Sequence, residues 1–445
     1  MHYPDTTTPA GLTRRARKLI TASARMLTAG AILLTAGSAT AEGETDLVSA
    51  ISSGDLLLRM HYRVELADDE ANTLDDATAS TLRTYMGWQT GKFHDFSVRL
   101  AFENVLPVFT NDRQVPGEAP TGFDVVADPD GTEVDEAFLA YSGLPNTTIK
   151  LGRQYVTYRK APFHRFIGTV PWRQNWQSMD GITIDNTSID GLRLRYAYID
   201  NVNRIFGQDN PNRALANSPM SSHFVNAQYT GLPIGELEGF YYRLDYDNDT
   251  LPGPFTDRET FGFKIQGTKP LNDKLKAIYL GEFSHQRAIE DNATAFDSAN
   301  QYRVHAGLGA SPKGQLVKDI SGFFGYEVLE SDGGLSFSTP LATVHAFQGW
   351  ADRFIGFPGA GVEDLYFTLK AKVIGDINIT AIYHDFSFEA GGNDYGEEFD
   401  FQATKKVGKF AFSVKHASYF GNDDPLAGAA GVDRTITWFF VNFVL

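Results

Sequence analysis

From residue 42 onward the chain sets apolar and polar side chains on alternate positions, segment after segment, and a period of two belongs to strands. The alternation predicts eighteen of them, over 54–66, 80–91, 93–105, 132–142, 146–155, 180–187, 190–199, 221–231, 236–246, 258–269, 272–285, 299–310, 316–329, 361–374, 376–389, 396–407, 409–419 and 433–445. Sixteen would follow if one hairpin is misread. The connections alternate as well. Tight turns at 91–92, 143–146, 186–191, 231–235, 269–273, 311–314, 375–376 and 407–409 take turns with long polar stretches such as 106–131, 156–179, 200–220, 286–299 and 330–360. Such strict alternation fits an all-β, transmembrane antiparallel β-barrel with short periplasmic turns on one rim and long extracellular loops on the other.

The charged residues choose the faces. In 190–199, Leu192, Leu194, Tyr196 and Tyr198 alternate with Arg193, Arg195 and Ala197. An arginine on the lipid side near the bilayer midplane costs about 2–4 kcal/mol, so the arginines are assigned to water. The same rule sends inward Arg59, His61 and Arg63; Arg99 and Glu103; Tyr241, Arg243 and Asp245; Lys264 and Gln266; and Arg303 and His305. The expected pore lining is therefore Arg59, Arg63, Arg99, Arg193, Arg195, Arg243, Lys264 and Arg303. Arg153 shares its parity with Ile149 and Leu151 and is not assigned to the lumen.

Composition narrows the class. Arg14, Arg15, Arg17, Lys18 and Arg25 precede a short apolar run at 26–34 that ends at Ala39-Thr40-Ala41, the form of an export signal over 1–41. A single barrel domain over 42–445 follows it. The run is too short to span a bilayer as a helix. The formal net charge is −16, and removing the leader, with its five basic residues and one acidic, leaves −20. That balance excludes nucleic acid as a partner. The absence of cysteine fits an exported structure closed by backbone hydrogen bonds rather than disulfides. No phosphate loop, His-Glu-x-x-His pattern or cysteine ligand set points to a cofactor or metal, and the acidic loop residues match no defined Ca²⁺ spacing. Carboxylates at the outer mouth would be solvated, or bridged by divalent cations to lipopolysaccharide.

A barrel of this size is wider than its own side chains can fill, so loops folded inward are expected to narrow a watery lumen. Two loops combine arginine with tryptophan. One carries Arg165, Trp172 and Arg173 and leads into Asp180; the other carries His345, Trp350, Asp352 and Arg353. Guanidinium groups fork onto carboxylates and aromatic faces cover sugar rings, so these residues are the expected constriction. The competing reading is that they brace the loops through salt bridges of their own. Inward arginines could likewise be paired with Glu65, Glu103, Asp245 and Glu327. His384-Asp385 could suggest a barrel hydrolase, but no nucleophile can be placed beside it, and the chain is read as a non-enzyme.

Six runs carry a family resemblance. They are Leu151-Gly152-Arg153-Gln154, Arg165-Phe166-Ile167-Gly168, 172–181, which starts Trp172-Arg173-Gln174, 345–353, Gly361-Val362-Glu363-Asp364-Leu365-Tyr366 and Tyr383-His384-Asp385-Phe386. The chain resembles the alginate export family of outer-membrane porins. The resemblance implies an eighteen-stranded monomeric barrel with inward-folded loops in the Gram-negative outer membrane. Two transport expectations follow: passive diffusion of small anionic or sugar-like solutes, and, as the alternative, dedicated export of an alginate-like acidic polysaccharide.

Overall fold

The computed structural model describes residues 46–445 apart from 248–255, 290–295, 313 and 315, so the expected leader lies outside the described residues. A short helix α1, Leu47–Ser52, precedes eighteen antiparallel strands. In chain order these are β1 Asp55–Asp69, β2 Ala77–Gln89, β3 Phe96–Asp112, β4 Gly131–Leu144, β5 Thr147–Gln154, β6 Ser178–Ile189, β7 Leu192–Asn203, β8 Asn217–Leu232, β9 Gly235–Leu244, β10 Arg258–Pro270, β11 Leu275–Ala288, β12 Ser298–Ala310, β13 Val317–Leu329, β14 Val362–Val373, β15 Ile377–Ser387, β16 Asp394–Val407, β17 Phe410–Gly421 and β18 Arg434–Val444. Each strand pairs with the next. β1 also pairs with β18, in register from Arg59↔Val444 to Asp69↔Arg434, so the sheet closes and no edge is left unpaired. All eighteen expected strands are present, with ends shifted by a few residues.

The outer face carries the apolar members of the alternation. Leu56 and Met86, Val98 and Leu100, Phe261 and Phe263, and Val304 and Leu308 are exposed there, while their strand neighbours Arg63, Glu103, Lys264 and Arg303 are buried within. Such a belt suits hydrocarbon, because every backbone group is already bonded around the closed sheet. Arg153 keeps the outer parity. It pairs with Asp180 through Nε at 2.8 Å, and its guanidinium also donates to the Val134 carbonyl at 2.9 Å.

One face assignment is corrected. On β9 the inward residues are Glu238, Phe240, Tyr242 and Leu244, all buried, whereas Tyr241 and Arg243 point outward. Arg243 stands in register with Glu259 of β10 and lies 3.5 Å from Asp245. It lies near the long-loop end of the wall and lines no pore. The physical reason is that the lumen opposite β9 is filled by apolar side chains from a loop, so aromatic residues face inward here.

Candidate functional site

The interior is organised by loop 155–177, which folds into the barrel and fastens to three walls by arginine. Arg159 reaches Glu238 of β9 at 3.1 Å and also binds Glu282 of β11. Arg165, fully buried, meets Glu327 of β13 at 2.6 Å and Gln348 at 2.8 Å. Arg173 lies 3.3 Å from Glu65 of β1 and 3.6 Å from Asp352. Buried charges persist only when paired and hydrogen-bonded, so each contact fixes the loop against its wall. Between these ties Phe166 packs on Phe240, Tyr242 and Phe337, with ring centroids 4.7 to 6.3 Å apart.

Loop 330–361 locks onto the first. Ile167 and Leu341 form a bridge, the Gly168 N–H donates to the Leu341 carbonyl at 3.0 Å, and the Trp172 indole donates to Thr343 at 2.9 Å. His345 stacks flat on Trp172 at 4.0 Å. Its Nδ1 bonds Asp352 at 2.9 Å and its Nε2 faces the Lys415 ammonium. Burial and the neighbouring Lys415 push the His345 pKa down to about 4. The ring is therefore neutral, and since Lys415 can only donate, the proton sits on Nδ1. Trp350 lies under the same ammonium at 4.0 Å.

A third loop, 113–130, contributes Asp128. It binds Arg63, lies 3.8 Å from Arg173, and accepts the Gln174 backbone N–H at 3.0 Å. Burial alone would raise this carboxyl, but Arg63 and Arg173 override it and hold it below its ordinary range.

Of the expected constriction residues, the structure brings Arg165, Trp172, Arg173, Trp350 and Asp352 into the barrel. Asp180 is a correction: at the start of β6 it shares the parity of the outward Ile182 and Ile184, stands in register with Arg153 and pairs with it on the outer side. Arg353 is another. It ties its loop to the rim through Asp69 at 2.8 Å and the Asp433 carbonyl, away from the centre. Arg59, Arg63, Arg99, Arg193, Arg195, Lys264 and Arg303 face inward. Most are neutralised there: Arg63 by Glu65 and Asp128, Arg99 by Glu136, Arg193 by Asp185, Lys264 by Glu238 and Arg303 by Glu282. His384 bonds Asp364 at 2.9 Å rather than its sequence neighbour Asp385.

Beneath the loop an open cavity of about 670 Å³ rises from the short turns at 146 and 187 to Tyr155 and Tyr158. Arg193 and Arg195, two of the expected pore-lining residues, stand on its wall with Lys150, Thr183 and Asp185. Arg195 donates to the Tyr158 carbonyl at 3.0 Å and to Asn226, while its Nε is buried without a partner. Lys150 lies 4.7 Å from the Phe138 ring centre. Among the described residues neither Lys150 nor Arg195 has a carboxylate within 4 Å. Sequence reading missed Lys150, which falls on the strand whose arginine broke the parity rule.

The fold is that of a porin-type outer-membrane barrel with loops folded into its bore. It is similar to OccAB1 of Acinetobacter baumannii (13% identity, 91% of this chain and 99% of that one, TM-score 0.66) and OccK9 (OpdG) of Pseudomonas aeruginosa (13%, 89% and 100%, 0.64). It is likewise similar to Pseudomonas aeruginosa OpdK crystallised with vanillate (11%, 89% and 99%, 0.60). No family model and no curated protein matches the sequence. The comparisons thus carry the porin kind of barrel and give the resemblance to the alginate export family no support.

Proposed function

We propose that the chain is a channel of the Gram-negative outer membrane for passive diffusion of small anionic solutes, carboxylates foremost, made with a cleaved leader over 1–41 and acting as a monomer. One observation carries the reading: among the described residues Arg63, Arg99, Arg159, Arg165, Arg173, Lys264 and Arg303 each sit on a carboxylate, whereas Lys150 and Arg195 stand on the wall of the 670 Å³ cavity with no carboxylate within 4 Å. An unpaired buried cation beside water-filled space is a place for a ligand's charge, since a guanidinium forks onto a carboxylate. Tyr155, half-buried at the cavity's roof, supplies an aromatic ring beside the rest of such a solute. The vanillate bound to the similar barrel OpdK, an aromatic carboxylate, agrees with this chemistry. The polysaccharide-export alternative has no comparable support, because the loops interlock across the bore that a polymer chain would have to thread.

Reversal potentials in planar bilayers under a salt gradient test the proposal. Anion preference is expected in the wild type, reduced in Arg195→Gln and in Lys150→Gln, with benzoate-type carboxylates blocking and neutral sugars not. An unselective wild type, or selectivity untouched by both substitutions, overturns it.

A further inference from the structure

Helix α1 is six residues long, Leu-Val-Ser-Ala-Ile-Ser, with no charge of its own, and is bracketed by Asp46 and Asp55. Asp46 caps it by accepting the Ser49 N–H at 3.0 Å. Its inner side is used: Ala50 is buried, and its carbonyl accepts the N–H of Gly91 in the turn between β2 and β3. Its other side is bare. Leu47, Val48 and Ile51 are 53%, 70% and 49% exposed, an apolar face that water would not stabilise.

The position of that face says what covers it. The Ile51 carbonyl accepts the indole N–H of Trp88 at 3.1 Å, and Trp88 sits on the outer parity of β2 with Met86, next to the short turn. Of the five tryptophans only Trp88 is an exposed residue; Trp172, Trp176, Trp350 and Trp438 make their contacts inside the bore. Outward tryptophan at the end of a spanning strand marks the depth where hydrocarbon meets headgroups. Leu56 at the start of β1 and Leu47, Val48 and Ile51 of α1 are exposed apolar residues at the same end of the wall as Trp88.

We propose that α1 is an interfacial anchor, lying flat in the periplasmic leaflet with Leu47, Val48 and Ile51 in the acyl boundary and Asp46 and Asp55 in water. The inference rests on the outer-membrane reading above. A short amphipathic helix of this kind binds lipid by its buried apolar area. It would hold the chain beside the barrel where β1 begins, clear of the cavity's mouth.

The chain has no cysteine, so single labels are clean. The full-length protein is refolded into phosphatidylethanolamine–phosphatidylglycerol vesicles carrying an NBD dye on Val48→Cys. Met86→Cys on the outer wall and Glu118→Cys in an exposed loop serve as references. A blue-shifted Val48 label, quenched by doxyl-labelled lipid as the Met86 label is and resistant to iodide, is the expected result. Iodide quenching equal to that at Glu118, or shielding from both quenchers, overturns the anchor while the Met86 label upholds the membrane reading. A Met86 label reached by iodide and not by lipid removes both.

Discussion

Arg165 is the most deeply buried of the three arginines that fasten loop 155–177, and its loss is expected to free that loop without opening the barrel. Its guanidinium and the Glu327 carboxylate are 0% and 1% exposed and 2.6 Å apart. Breaking a buried pair by removing one member costs about 3–5 kcal/mol, since the remaining charge is left uncompensated. Here Glu327 keeps donors from Gln301 at 2.9 Å and Gln348 at 2.7 Å, which places Arg165→Met at the lower end, about 3 kcal/mol. At 1.4 kcal/mol per tenfold, the detached loop becomes roughly 100-fold more populated. Thr169, buried at 3% exposure, is a reporter for detachment. A Thr169→Cys background should react with a water-soluble maleimide roughly 100-fold faster once Arg165→Met is added. The double variant Arg165→Met with Glu327→Leu should fall back to within about tenfold of the parent, because an apolar pair leaves no stranded charge. Equal labelling of parent and single variant, or a double variant as fast as the single, would refute the bracing role.

Other outcomes follow from the same interior. Arg195→Glu should move the reversal potential toward cations while Arg243→Glu leaves it unchanged, since only the former faces the cavity; a shift with Arg243→Glu would restore the uncorrected β9 face. His345, with a folded pKa of about 4 against 6.5 when unfolded, is a group the unfolded chain protonates first, so its share of stability is whole above about 6.5 and lost as pH falls toward 4. The rate of maleimide labelling at position 169, divided by that of a free thiol at the same pH, should therefore rise over that window, and His345→Gln should flatten the ratio; an unaltered ratio profile assigns the effect elsewhere. Phe166→Ala removes the ring that packs on Phe240, Tyr242 and Phe337, a loss of about 3–5 kcal/mol of local packing, and single-channel current should become larger and noisier. A quiet trace of wild-type amplitude would show that the apolar cluster does not narrow the path.

The barrel was legible because its signal is local and repeated: a strand with one lipid face must alternate, and alternation can be read ten residues at a time. β9 shows where that reading breaks. Its even positions hold Glu236, Glu238, Phe240, Tyr242 and Leu244 and its odd positions Leu237, Tyr241 and Arg243, so charge alone argues both ways. The two glutamates were the better guide, because Glu238 is fully buried while Arg243 lies near the strand's rim end. Arg153 and Asp180 were unreadable for a related reason: an outward ion pair at strand ends costs little, so the rule that excludes charge from the belt does not reach them. The loop contacts were invisible in principle. Arg173 with Glu65, Arg159 with Glu282 and Arg165 with Glu327 each join residues more than a hundred positions apart, and no periodicity encodes a loop's path through a lumen.

That pairing changes what an inward arginine means. Counting basic residues on inward positions suggests a strongly positive bore, yet Glu65, Asp128, Glu238, Glu282 and Glu327 consume most of that charge in holding the loops. In a low-dielectric interior an ion pair presents a dipole to a passing solute, whose field decays faster than that of a bare charge. Selectivity then belongs to the cations left over. Lys150 and Arg195 are two such groups, on adjacent parts of one cavity wall and beneath the loop the other arginines secure. The division of labour has a consequence for design: charge reversal at a paired arginine should disturb loop order before it alters selectivity, whereas reversal at Lys150, which makes no contact with the loop, should alter selectivity first.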